Sequence, residues 1–298
     1  MTASTPSKSA SNSFETRLLD LTQKRLEKFA SLFPRLLVSE HPDPIHDTRV
    51  WSRRLQQIFS FLFPKPRNGK AKKLTRTLRR VRRALGTCRN LDVSLELIQH
   101  RIETASSSAE RDGWGYIRDF AQEKRAAEIL RARKELGRYD IVAFVIRTQA
   151  LLELAEFGKD VEENLKQSIA GAVQDWTEAL NTAKDQEDRE TLHTLRIAGK
   201  RLRYRMELLA ELGETSARSK IKSLRALQDQ LGDWHDCYVM LQLVAEFIGR
   251  PDFLVDHPEL GRTLLTEMER EQQTNEEAVA DILKSAEKIR PTLAAHGT

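Results

Sequence analysis

Apolar residues recur along this chain at intervals of three and four, almost from end to end. An α-helix completes a turn in 3.6 residues, so this spacing marks amphipathic helices. The first stripe runs from Phe14 to Leu37, with Pro34 as a late interruption. The segment 41–44, His-Pro-Asp-Pro, breaks it, and Asp43-Pro44 supplies a cap and first turn for the next helix, which carries His46 to Leu62. There Trp51, Leu55, Ile58, Phe59 and Leu62 share one face. Residues 63–69 form a Pro/Gly loop. Leu74, Leu78, Val81 and Leu85 make the following stripe, which Gly86 stops. Helices are predicted next over 91–102, over about 109–136 after a Ser106–Ser108 hinge, and over 139–157. The remainder reads as helices over 160–183, 189–212, 216–231 with Gly232 as stop, 235–248, 258–273 and 275–289. Trp51, Trp114, Trp176 and Trp234 fall within the stripes and are expected to pack in the interior or at bundle ends.

The pattern repeats. A shift of 147 residues sets His46 on His193, Arg49 on Arg196, Arg53 on Lys200, Arg54 on Arg201 and Leu55 on Leu202. A shift of 146 sets Leu78 on Leu224, Arg79 on Arg225 and Leu85-Gly86 on Leu231-Gly232. The chain therefore holds two tandem copies of one helical unit, about 14–157 and 158–292, after a Ser/Thr-rich tail over 1–13 that is expected to be disordered. The fold class that follows is all-α: two tandem helical bundles with long antiparallel helices, related by a pseudo-two-fold axis. Such an axis would bring the equivalent faces of the two copies together.

Composition supports this and narrows the chemistry. Aromatics are 6% of the 298 residues and hydrophobic residues 40%, which disfavours a sheet-rich fold. Two cysteines, Cys88 and Cys237, make neither a disulfide framework nor a zinc spacing, and a reduced, cytoplasmic location is expected. The start has no apolar segment of the signal-peptide kind, and no apolar run reaches the length of a spanning helix. No metal site, cofactor motif, phosphate-binding glycine loop or catalytic triad can be assembled from the spacings, so no enzymatic activity is expected.

The charge distribution is more telling than the net charge of +5. Residues 48–90 contain 14 Lys or Arg and no Asp or Glu. Such a segment repels itself, and a bound polyanion is the natural compensation. The bases fall in register. His46, Arg49 and Arg53 share the face opposite the apolar stripe, with Arg54 on the flank. Lys72, Arg76, Arg79, Arg80 and Arg83 lie opposite the next stripe. The second copy repeats the first of these faces with His193, Arg196, Lys200, Arg201, Arg203 and Arg205, but keeps only Lys222 and Arg225 of the other, since Ala226 and Asp229 replace Arg80 and Arg83. Solvated helix faces normally mix charge signs, and these do not.

A histidine, an arginine three residues on, a basic pair, and a second helix ending in Leu-Gly before an Arg/His-Asp-type turn resemble the CHAD family, the histidine-headed α-helical domain. Here the motif reads His46, Arg49, Arg53-Arg54, Leu85-Gly86 and Arg89-Asn90, then His193, Arg196, Lys200 to Tyr204, Leu231-Gly232 and His235-Asp236. Asn90 stands where the family usually places Asp. The resemblance covers about 14–290, within a CHAD-like domain of 14–295. It implies two helical bundles with a basic surface or channel, non-catalytic binding of inorganic polyphosphate, and for some relatives a place on polyphosphate or storage granules. The acidic ExExK signature of the companion triphosphate-hydrolysing domain is absent, so a stand-alone domain is expected. The expected polyphosphate-binding residues are His46, Arg49, Arg53, Arg54, Arg76, Arg79, Arg80, Arg83, His193, Arg196, Lys200, Arg201, Arg203, Lys222 and Arg225, with phosphate or sulfate ions as smaller ligands of the same groove. The rival functions are non-specific nucleic-acid binding through phosphates and a granule-associated interaction protein.

Overall fold

The apolar stripes become the buried faces of helices in a computed structural model that describes residues 13–63, 69–154, 161–186 and 188–294. In chain order these are α1 Phe14–Val38, α2 Pro42–Leu62, α3 Gly69–Ala84, α4 Gly86–Thr104, α5 Ser108–Leu136, α6 Ile141–Glu153, α7 Val161–Gln186, α8 Arg189–Glu211, α9 Arg218–Ile248, α10 Pro251–Asp256 and α11 Pro258–Ala294. There is no strand among the described residues. The expected tail, the Pro/Gly loop with Lys65 and Arg67, and the link between the copies lie largely outside the described residues.

The same packing is built twice. α1 lies on α2 and α7 on α8; α2 lies on the α3 side of its unit and α8 on α9; α4 packs on α5 and α9 on α11. Across the junction four helices meet their own counterparts: α1 meets α7, α2 meets α8, α4 meets α9 and α5 meets α11. Like-to-like contact is the geometry of a two-fold relation. The cores ignore the copy boundary. One cluster joins Leu55, Phe59 and Leu78 to Trp176, Leu202 and Leu224. The other joins Ile98, Trp114 and Ile117 to Met240, Phe247, Phe253 and Leu264. Trp114 and Trp176 are fully buried and Trp234 nearly so, as their positions in the stripes predict.

The structure differs from the sequence expectation at several ends. α2 starts at Pro42 with His41 as cap, its Nδ1 accepting from the Asp43 amide at 3.3 Å. α9 runs through Gly232, because Leu231 and Trp234 bury on either side of it and outweigh a glycine's helix penalty of about 1 kcal/mol. α11 runs through Thr274 and Asn275 for a related reason: the Asn275 side chain donates outward to the Trp234 carbonyl at 3.1 Å. The short α10 fills the turn between α9 and α11 and buries Phe253. Gly86 does mark a break, since α3 ends one residue before Leu85 and α4 starts one after it.

Two α5 arginines fix where α2 begins. Arg125 donates to the Glu40 carbonyl at 2.7 Å and to buried Asp92 at 2.5 Å, and Arg133 donates to the Ser39 carbonyl at 2.9 Å. The helix headed by His46 is thereby anchored at its first turn.

Candidate functional site

On α2 and α8, positions three and four apart stack on one face, so the bases at 49 and 53 line up with those at 196 and 200. Where the two helices meet, the faces converge. The Arg53 guanidinium donates to the Tyr204 hydroxyl at 3.1 Å and lies 5.7 Å from that ring, joining the first copy to the second. Arg49 donates at 2.7 Å to the carbonyl of Arg82, in the last turn of α3, where the helix dipole favours a cation. Arg82 in turn donates to the Ser52 carbonyl at 3.3 Å and to the Gln56 side chain.

These bases are partly buried and crowd one another. Burial is the largest cause of every shift here, because it penalises the charged form. It pulls Arg49 down to about 10, with further repulsion from Arg53, Arg89 and, across the junction, Arg196. Arg82 falls to about 10 through burial, Arg53 and Arg49. Arg196, with only 14% of its side chain exposed, is lowered by burial and by Arg53, against the pull of Asp236 at 3.9 Å. Lys200 falls to about 7 through burial, Arg196 and Arg53, and makes no hydrogen bond or ion pair with the described residues. His235 drops to about 4 through burial, Arg196 and its neighbour His193, whose ring centroid is 5.4 Å away. His193 and His46 are lowered as well, first by burial, then by Arg196 and Arg89 respectively. Asp236 sits among these bases, yet burial holds its carboxyl above the usual range. The cluster is a set of desolvated positive donors in want of an anion.

Of the expected residues, the structure unites Arg49, Arg53, His193, Arg196 and Lys200, with His46 exposed at the edge. Arg76, Arg79, Arg80 and Arg83 are exposed along α3, and Arg79 lies close enough to repel Arg82. Arg54 lies on the flank, where the sequence placed it, and Arg201 departs from the expected face. Each follows a clustered base by one residue, about 100° round the helix. Arg54 turns to Trp51, 4.8 Å from its ring, and Arg201 turns to α7, donating to Asp175 at 2.9 Å. Arg203 and Arg225 both donate to Glu207 at 2.9 Å, which neutralises much of their charge, and Lys222 is exposed on α9.

Arg82, Arg89, Tyr204, His235 and Asp236 were not among the expected ligands. Arg89 and His235 are 146 apart and each stands three residues after the glycine of its Leu-Gly pair, so the duplication itself carried their signal. Arg82 stands four residues after Leu78 and three before Leu85, on the apolar stripe, which points it toward α2. Its counterpart by the same shift is Gln228, buried against Gly199, and Gly199 is the counterpart of Ser52. A Cβ on Gly199 would overlap the Gln228 amide nitrogen, so the Gln228 side chain would have to shift to admit it.

Ligand-free stability should follow from Lys200. A base with a lowered folded pKa binds its proton more weakly folded than unfolded, so stability rises with pH between about 7 and the ordinary lysine value of 10.5. Melting from pH 7 to 8.5, below the cysteine range, should therefore show a rising midpoint in parent protein and a flatter profile in Lys200→Met. Parallel profiles would contradict the assignment.

A family model described as the CHAD domain matches residues 20–245. The chain belongs to the CHAD-domain family. Its fold is similar to the crystal structure of the CHAD domain from the plant Ricinus communis, with a TM-score of 0.69 and 20% identity over 95% of this chain and 96% of that one. No curated protein matches the chain. Both histidine-headed helices of this CHAD domain lie inside the matched residues, and so do the α3 bases and the His235-Asp236 pair, which sits within α9 rather than in the expected turn, as Arg89-Asn90 sits within α4.

Proposed function

We propose that this CHAD domain binds linear inorganic polyphosphate, or a similar polyanion, in a groove made by both copies, without hydrolysing it. The observation that carries the reading is the convergence of Arg49, Arg53, Arg196 and Lys200 on one spot, where Lys200 makes no hydrogen bond or ion pair among the described residues and the one nearby carboxylate acting on it, Asp236, is outweighed by burial and by Arg196 and Arg53. Guanidinium groups offer paired donors to phosphate oxygens, and ammonium and imidazolium groups add point charges. An arriving phosphate would raise the lowered pKa values of Lys200, His193 and His235, so binding takes up protons and weakens as pH rises. The α3 arginines extend the positive surface along which a longer chain lies. Orthophosphate or sulfate would occupy the same cluster weakly, and any granule association would follow from polyphosphate carried there.

The cluster favours a thin chain over a duplex. Arg196 is 14% exposed, beyond easy reach of the backbone of a wide, stiff helix, whereas a flexible chain can enter. Titration with long-chain polyphosphate against duplex DNA at matched phosphate concentration tests this, with phosphate release followed in parallel. Tighter DNA binding would favour the nucleic-acid reading, and orthophosphate release abolished by Arg53→Ala would establish turnover. No helix among the described residues is long and apolar enough to cross a membrane.

The two copies should contribute unequally. Arg79/Arg83→Ala removes exposed bases with no ion pair among the described residues, and about tenfold in polyphosphate affinity should go with them. Lys222/Arg225→Ala should cost about twofold or less, because Glu207 already holds Arg225. Equal losses by calorimetry would dismiss the asymmetry.

A further inference from the structure

The α8–α9 seam continues past the cluster. From Lys200 it passes Arg196 beside Asp236, then the His193–His235 ring contact, and reaches Arg189 against Tyr238. Arg189 lowers the pKa of both His193 and His235, so it lies within electrostatic reach of the cluster. Beyond it, between α8, α9 and α11, opens a cavity of about 670 Å³. Its walls include Arg189, Trp234, Tyr238, Gln272, Asn275 and Glu276. This is chemistry unlike the cluster's, and a bare phosphate chain would make no use of it.

Two features of the cavity are specific. The first is a flat platform: the Arg189 guanidinium sits 3.5 Å from the Tyr238 ring centroid and donates to the Tyr238 hydroxyl at 2.7 Å. Aromatic rings and guanidinium planes are the surfaces on which nucleobases stack. The second is a row of acceptors. The Asn275 amide nitrogen is committed to the Trp234 carbonyl at 3.1 Å, and the Gln272 amide nitrogen to the Glu276 carboxylate at 2.8 Å. Both partners are pure acceptors, which fixes the orientation of the two amides. What remains on offer is the Asn275 and Gln272 carbonyl oxygens, the rest of the Glu276 carboxylate, and the second N–H of each amide, so acceptors predominate. The complementary ligand is flat, bears N–H donors on its edge, and carries its negative charge at one end.

We propose that this cavity takes the amino-bearing base of a purine nucleoside polyphosphate whose phosphates enter the α2–α8 cluster. The proposal rests on the polyanion reading for its phosphate end only. Arg189 to Lys200 spans eleven residues of α8, about 16 Å at 1.5 Å per residue, the scale of an extended nucleotide.

The test is calorimetry on the full chain with ATP, UTP and tripolyphosphate. ATP and UTP match in charge, sugar and phosphate number, but uracil presents mainly carbonyl oxygens to a wall in which acceptors predominate. ATP should bind about tenfold tighter than UTP, the size of one base-stacking interaction. Tyr238→Ala should erase that preference and leave tripolyphosphate affinity unchanged. Gln272→Ala, at an exposed position, should reduce the preference severalfold and serves if Tyr238→Ala fails to fold. Equal affinity for ATP and UTP, or equal weakening of ATP and tripolyphosphate by Tyr238→Ala, would overturn the base site and leave polyphosphate binding intact. If Arg53→Ala and Lys200→Met leave ATP and tripolyphosphate binding unaltered, the polyanion reading itself fails.

Discussion

Lys200→Met should bind polyphosphate at least about tenfold more weakly than the parent and yet melt at a higher temperature near pH 6.5. Both effects have one origin. The Lys200 ammonium is partly buried among Arg196 and Arg53, makes no ion pair among the described residues, and is only weakly offset by Asp236. Methionine keeps the apolar stem and removes the charge, so the ligand-free protein loses repulsion and desolvation cost. The bound state loses a charge-assisted contact, which contributes about 1.5–3 kcal/mol, or about ten- to a hundredfold in affinity. Arg53→Ala should match it in affinity, and the double variant should fall below either one, since the two positions are equivalent in the copies. Calorimetry and differential scanning measure the two sides. A variant that binds like the parent would remove Lys200 from the site, and one that melts lower would show that its charge is not a burden to the free protein.

Trp114→Ala should destabilise the whole chain by about 3–5 kcal/mol, the usual range for a buried aromatic cut to alanine. That is a large share of an ordinary domain's stability. Trp114 belongs to the first copy but packs in a cluster with Met240, Phe247 and Leu264 of the second. Melting should therefore stay a single transition shifted downward on every probe. Two separated transitions in the variant would show that the copies hold separate cores.

The helices and the duplication were legible because burial imposes a period, and the period survives divergence. The basic faces were legible for the same reason, and the residues that now meet at Arg53 and Tyr204 lie on them or one position away. What the sequence hid depends on contacts between copies. Periodicity says which face of α4 or α9 is apolar, but not that the two share one core. Gly232 and Asn275 carry local stop signals, and only packing at Leu231 and Trp234 overrides them. Arg201 sits next to a clustered base in sequence, and a 100° rotation takes it elsewhere. Arg82 hid inside a stripe that composition alone marks as basic.

The pairs Ser52–Arg82 and Gly199–Gln228 carry a consequence for the chain's history. They occupy matching places, but the first presents a guanidinium to the cluster and the second a neutral amide packed into the space a side chain would fill. Exchanging one partner alone disturbs the pair: serine at 199 would force the Gln228 side chain to shift, and arginine at 228 would bring a further charge into a space already filled by an amide. Recombination between the tandem segments is thus penalised wherever it separates a pair. Each half has become bound to its own place in the chain: two first halves joined together would carry two guanidinium groups at the Arg82 position, and two second halves would carry none at that position.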